Sequence, residues 1–161
     1  MLCTLGFLSV GAFGAVKERI LSRHAASPPI PAAVVSTGPS AIALNADRHG
    51  HSHTDAVVAG RSLRMMVDTG ATTCAFSEED AARIGINVGP RDFTRTTSTA
   101  NDLVRVAPVR IGSIQIGPVT VRDVEAVVVP RGLLTTNLLG MSFLKRVREF
   151  QIAGGTMTLR G

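Results

Sequence analysis

Leu63-Arg64-Met65-Met66-Val67-Asp68-Thr69-Gly70-Ala71 is the stretch on which the reading of this chain turns. An apolar, β-prone run ends in a carboxylate, a hydroxyl and a glycine, so an acid stands at the mouth of a strand where the backbone must turn sharply. Burying a carboxylate at that place costs several kcal/mol unless it is hydrogen-bonded or paired. Asp68 is therefore either well satisfied or functional, and a strand-end acid in a tight turn is an active-site arrangement.

The rest of the composition suits that strand. The chain has 161 residues, which predicts one folded domain with an appendage. Apolar residues make up 45%, with 16 glycines and no Trp or Tyr, a balance that favours short strands and tight turns over long helices. The expected fold class is all-β. A net charge of +5 raises nucleic acid as a partner, but the basic residues are scattered and no aromatic platform accompanies them, so none is expected. A solvated basic surface, or attraction to an anionic membrane, accounts for the charge. Cys3 and Cys74 form no disulfide framework. Cys74 lies close to Asp68 without a neighbouring His, and is read as a small buried hydrophobe rather than a nucleophile.

Residues 1–23 are read as a membrane anchor or signal-like segment. Met1 to Val16 carries no charged side chain, after which Lys17, Glu18, Arg19 and Arg23 arrive together. As a helix this apolar run would reach roughly 24 Å, short of a ~30 Å hydrocarbon core but able to span with snorkelling flanks. The positive n-region of a signal peptide is missing, which favours an uncleaved anchor. Residues 24–40, dense in Pro, Ala and Ser, read as a partly extended linker. The folded domain is expected over 41–161.

Within it, Ala41 to Leu44 predicts a first strand and Asn45 to Gly50 a turn. Thr54 to Ala59 and Ser62 to Val67 form a hairpin through Gly60-Arg61 that delivers the chain to Asp68. Ser77 caps a short helix that stops at Gly85. Arg91 to Val106 reads as a hairpin flap with Asn101-Asp102 at its tip. Four strands follow, at Ala107–Ile111, Ser113–Ile116, Val119–Val121 and Val124–Val129. A second short helix is expected over Met141–Val147, and a closing hairpin runs from Phe150 to Leu159 through Gly154-Gly155. His49, His51 and His53 alternate along the chain and would share one face of a strand. No nearby Cys and no carboxylate at regular spacing completes a ligand set, so no metal and no cofactor is expected there.

Asp68-Thr69-Gly70-Ala71, with Leu138-Leu139-Gly140 further on, resembles the aspartic proteases. The match is closer to the retropepsin-like (clan AA) group, and within it to the small single-domain, membrane-anchored enzymes of bacteria. The resemblance implies a small closed β-barrel-like fold with one or two short helices, covering roughly Leu44 to Arg160 and preceded by an N-terminal apolar helix. It also implies hydrolysis of peptide bonds by water activated between two carboxylates that share a proton. The chain has twelve acidic residues, yet only Asp68 is followed by Thr-Gly at the end of an apolar strand. A homodimer is therefore implied, with Asp68 of each subunit meeting on a two-fold axis.

In that frame Thr69 would hydrogen-bond across the axis, Gly70 would let backbone N–H groups approach the carboxylates, and Ala71 would leave room for substrate. Leu138, Leu139 and Gly140 would support the catalytic loop. Thr99, Ala100 and Asn101 would cover an extended protein or peptide substrate from the flap. Met66, Ile111 and Val128 are candidates for apolar pocket lining. Relatives of this kind carry their protease domain outside the cytoplasm, which implies a periplasmic domain, although Lys17, Arg19 and Arg23 would favour the cytoplasmic side. A catalytically inactive dimerisation or peptide-binding module is the alternative on the same fold.

Overall fold

The structure, a computed structural model, describes residues 40–98 and 103–161. The expected apolar segment 1–23, nearly all of the linker 24–40, and the flap tip fall outside those residues. Among the described residues no helix is long and apolar enough to cross a membrane.

Among the described residues, ten strands and two short helices follow one another. β1 (Ala41–Asn45) leads into a tight turn and then β2 (His53–Val58), which pairs antiparallel with β3 (Arg61–Val67). The turn between β2 and β3 is Ala59-Gly60, one residue earlier than expected. Both residues have positive φ, 48° and 79°, as the two-residue hairpin turn matched to strand twist requires. Arg61 thus already belongs to the strand.

β4 (Cys74–Ser77) runs directly into α1 (Glu78–Arg83). The Ser77 hydroxyl accepts the Asp80 N–H at 3.2 Å, Glu78, Glu79 and Asp80 occupy the positive end of the helix, and Gly85 follows at φ +86°. β5 (Arg95–Ser98) pairs with the start of β6 (Leu103–Ile116), and Ser98 stands opposite Leu103 as the base of the flap.

The four strands expected between Ala107 and Val129 are two. β6 continues through Gly112, and β7 (Val119–Val129) continues through Asp123, which takes a φ of +54°. The pairings Ile111–Val124 and Ser113–Arg122 keep one register on either side. A bend at the strand centre, with a glycine facing a left-handed residue, is thus absorbed without ending the ladder. β8 (Asn137–Leu139), α2 (Met141–Leu144), β9 (Glu149–Ala153) and β10 (Thr156–Arg160) complete the chain. α2 is shorter than the expected Met141–Val147.

The ladder order β2-β3-β8-β4-β7-β6, closed by β6 pairing back onto β2 at Val57–Gln115 and Val58–Ile114, makes a six-stranded barrel. Closure removes the edges that an open sheet would expose. A separate sheet of order β1-β10-β9 lies beside it and joins its core through Leu44, Met157 and Leu159. Phe76, Phe143, Met65, Ile114 and Leu144 are fully buried in that core. Ile111 and Val128 are buried with them, at 1% and 0% exposure, and so do not line a pocket. β7 is covered on both faces: Ala126 and Val128 join the main core, Val127 and Val129 a second cluster with Ala75 and Val106. That explains its unbroken apolar run, which no alternation would have marked as a strand.

Candidate active site

β3 sets the position of the acid. Leu63 and Met65 point into the core while Arg64 faces solvent, and the strand ends one residue before Asp68. β8 lies beside it, parallel, with Met66 opposite Leu138 and Val67 opposite Leu139. The other side of β8 meets β4 antiparallel at Ala75–Leu138. The loop from Asp68 to Thr73 thus wraps round the end of β8, whose backbone fills the space between the two strands that flank the acid.

Three backbone hydrogen bonds fix this loop. Asp68 N–H donates to the Leu139 carbonyl at 3.1 Å, Ala71 N–H to the Asp68 carbonyl at 3.3 Å, and Met141 N–H to the Ala71 carbonyl at 2.8 Å. Gly140 sits where no other residue fits. A methyl group there would lie 2.8 Å from the Ala71 oxygen and would collide with the Thr73 carbonyl. Leu139 is fully buried and Leu138 half-buried. None of the three lines the cavity at the acid; Leu139 joins the main core, Leu138 packs against the second cluster, and Gly140 lies against the loop that carries the acid.

The carboxylate itself is half-buried. Its Oδ1 accepts the Gly70 N–H at 2.8 Å, and a Cβ on residue 70 would come within 3.2 Å of that same oxygen. Among the described residues the other oxygen takes no hydrogen bond. Thr69 and Gly70 are exposed and Ala71 is half-buried. Asp68 and Thr69 open onto a cavity of about 310 Å³ whose other walls include His51, Val67, Ile152 and Met157. The β1–β2 turn and the terminal hairpin therefore flank the acid, a neighbourhood that sequence spacing alone did not show. Thr99, Ala100 and Asn101 lie outside the described residues.

Two supporting side chains were not singled out from the sequence. Asn137, 2% exposed, accepts the Ser77 N–H at 3.0 Å and donates to the Arg64 carbonyl at 3.1 Å and to Asp80 Oδ2 at 2.7 Å. One amide thus ties β3, β8 and the N-terminus of α1 together. Ser142 accepts the Cys74 N–H at 2.9 Å and donates to the Glu125 carbonyl at 2.7 Å. A polar residue just before Leu-Leu-Gly, in an otherwise apolar strand, was the available signal for Asn137.

Cys74 is fully buried, and that burial pushes its thiol above the ordinary range despite the Ser142 hydroxyl beside it. A buried, protonated thiol is no nucleophile, which agrees with its reading as a small hydrophobe. The histidines differ from the expected strand face. His49 and His51 lie in the turn before β2 and only His53 lies in the strand, while the turn brings a carboxylate, Asp47, against His51 and His53.

A barrel of this topology with an Asp-Thr-Gly-Ala turn braced by Leu-Leu-Gly defines the class of the retropepsin-like aspartic proteases. A family model described as "gag-polyprotein putative aspartyl protease" matches residues 54–146. A crystal structure of a retropepsin-like aspartic protease from Rickettsia conorii is 34% identical, with a TM-score of 0.68, over 76% of this chain and 91% of that one. Two curated relatives are uncharacterized proteins. One, from the cobV 5' region of Sinorhizobium sp, is 39% identical over 78% of this chain and 54% of its own length. The other, RP867 of Rickettsia prowazekii (strain Madrid E), is 35% identical over 76% of this chain and 52% of its own. The chain spans about half the length of these curated relatives. It belongs to the retropepsin-like aspartic protease family.

Proposed function

We propose that the protein is an aspartic endopeptidase that works as a homodimer, with Asp68 of each subunit facing the other across a two-fold axis. One observation carries the reading: each chain offers a single Asp-Thr-Gly-Ala turn, held rigidly by β8, with its carboxylate at an open cavity. Chemistry of this class needs two such groups. Like charges about 3 Å apart cannot both stay ionised, so the pair holds one proton. The ionised member takes a proton from the attacking water while the protonated one hydrogen-bonds the scissile carbonyl.

The Gly70 N–H bond to Oδ1 supports this role, because it aims the carboxylate and leaves its second oxygen for water or for the partner acid. Thr69, exposed beside it, would bond across the axis. The flap residues Thr99, Ala100 and Asn101 would lie over an extended peptide and exclude water. Residues 1–23 would tether the domain to a membrane, with the domain on the periplasmic side.

The test is incubation of the full chain with an unbiased peptide mixture, wild type beside Asp68→Asn, with oligomeric state measured on both by sedimentation. Cleavage should fall by about 10³-fold or more in the variant while the dimer persists. Activity should peak on the acid side, with apparent constants belonging to the pair. Unchanged cleavage by Asp68→Asn would overturn the proposal.

A further inference from the structure

The turn between β1 and β2 gathers three ligating side chains that proteolysis does not use. Asp47, His51 and His53 each offer one donor atom, and these atoms all lie within 4.8 Å of one another. His53 Nε2 stands 3.4 Å from Asp47 Oδ2. That is the ~3.4 Å edge of a tetrahedron whose corners lie about 2.0–2.1 Å from a zinc ion. The His51 and His53 rings are 6.5 Å apart and steeply inclined, at 76°, so their edges can converge on one point without stacking.

We propose that Asp47, His51 and His53 form a binding site for a divalent cation of borderline softness, with Zn²⁺ the best fit, held by two imidazoles and one carboxylate. The donor set selects the ion. Imidazole suits zinc, copper and nickel, whereas calcium and magnesium ask for a shell of oxygens that one carboxylate does not supply. Three protein ligands leave at least one position open to water, as at exchangeable or reactive sites rather than closed structural ones.

The backbone builds the site before any ion arrives. Asp47 Oδ1 accepts the N–H groups of His49 and His51 at 2.8 and 3.0 Å, which leaves Oδ2 to face His53. Asp47 N–H donates to the His51 carbonyl at 2.9 Å and Gly50 N–H to the Asp47 carbonyl at 3.0 Å. Gly50, at φ +83°, makes the reversal that returns the chain toward the carboxylate. An outer set of hydrogen bonds that orients a ligand carboxylate is the usual companion of a metal site. His49 serves as an internal contrast, because its Nε2 accepts from Arg48 Nε at 3.1 Å and it is no part of the cluster. His51 also lines the cavity onto which Asp68 opens, so a bound ion would stand at the rim of that cavity.

The test is calorimetric titration of the full, untagged chain with ZnCl₂, beside Co²⁺ titration followed by visible absorption. One equivalent should bind per chain, with a cobalt spectrum of low-coordinate nitrogen and oxygen ligation. His51→Ala, His53→Ala and Asp47→Asn should each weaken binding at least about tenfold, the scale on which even outer partners of a metal act. His49→Ala should leave it within about twofold. Asp47→Asn retains the Oδ1 acceptor, so its turn should persist, and circular dichroism of every variant should match wild type. Absence of binding at millimolar Zn²⁺ would overturn the proposal. So would wild-type affinity in His53→Ala and Asp47→Asn, or an equal loss in His49→Ala.

Discussion

Two aspartate-bearing turns lie on either side of one cavity, and they are held in opposite ways. The Asp68 turn is fixed from a distance: its backbone bonds run to Leu139 and Met141, some seventy residues on in the chain, and Gly140 is packed against its carbonyls. The Asp47 turn is fixed mostly by itself, through hydrogen bonds among residues 47–51, with longer-range ties only at its ends, Ala46 N–H to the Gly155 carbonyl and Val67 N–H to the Ser52 carbonyl, and the contact of Asp47 with His53. The first turn is therefore braced along its length by distant strands, and the second chiefly by its own loop. The proposed catalysis would need the first kind of support, because two acids sharing a proton could not drift. An exposed ligand set can be served by the second.

This contrast can be broken at several points. The largest structural effect should come from Gly140→Ala, which forces a methyl into the Thr73 carbonyl and should cost about 3 kcal/mol or more in denaturant unfolding. Wild-type stability in that variant would mean that the Asp68 loop can yield. Asn137→Ala should cost about 2 kcal/mol, because it strands the Ser77 N–H and the Arg64 carbonyl. Gly50→Ala meets open space and loses only its left-handed backbone freedom, so about 1 kcal/mol is expected, with the barrel unperturbed by amide exchange. A larger loss would show that the Asp47 turn is not self-contained.

The smallest effect concerns acid. Two backbone N–H donors, from His51 and then His49, hold the Asp47 carboxyl below its ordinary value of 3.8. A depressed native value favours the folded turn above the unfolded value and loses that contribution as pH falls through the native one. Protection of the His49 and His51 amides, taken relative to their intrinsic exchange rates, should therefore fall from about pH 4 downward, before that of the barrel amides. Simultaneous loss would join the two turns into one cooperative unit.

How much of this was legible depended on the reach of the interactions. The Ser77 cap, the glycine stop after α1 and the Gly154-Gly155 hairpin are local, and their residue types announced them. Asp-Thr-Gly-Ala and Leu-Leu-Gly were legible as motifs, but their meeting depends on a parallel pairing between β3 and β8 that no local pattern encodes. Gly112 looked like a break because glycine often ends a strand; pairing with β7 carried the strand through it. Asp47 leaves no signal at strand spacing, because the turn folds it back toward the histidines from outside the strand.

By itself the sequence determined the chemistry available: one strand-end acid per chain, the residues that allow it a tight turn, an all-β composition and the family those features resemble. The tertiary structure decided the placement. It set β8 between the strands that flank Asp68, put Ile111 and Val128 in the core, sealed Cys74 away from solvent and brought Asp47 to two histidines. Residue type governs what a group can do, while the partners of Asp68 follow from backbone closure between segments far apart in the chain. Only the closed barrel brings those segments together.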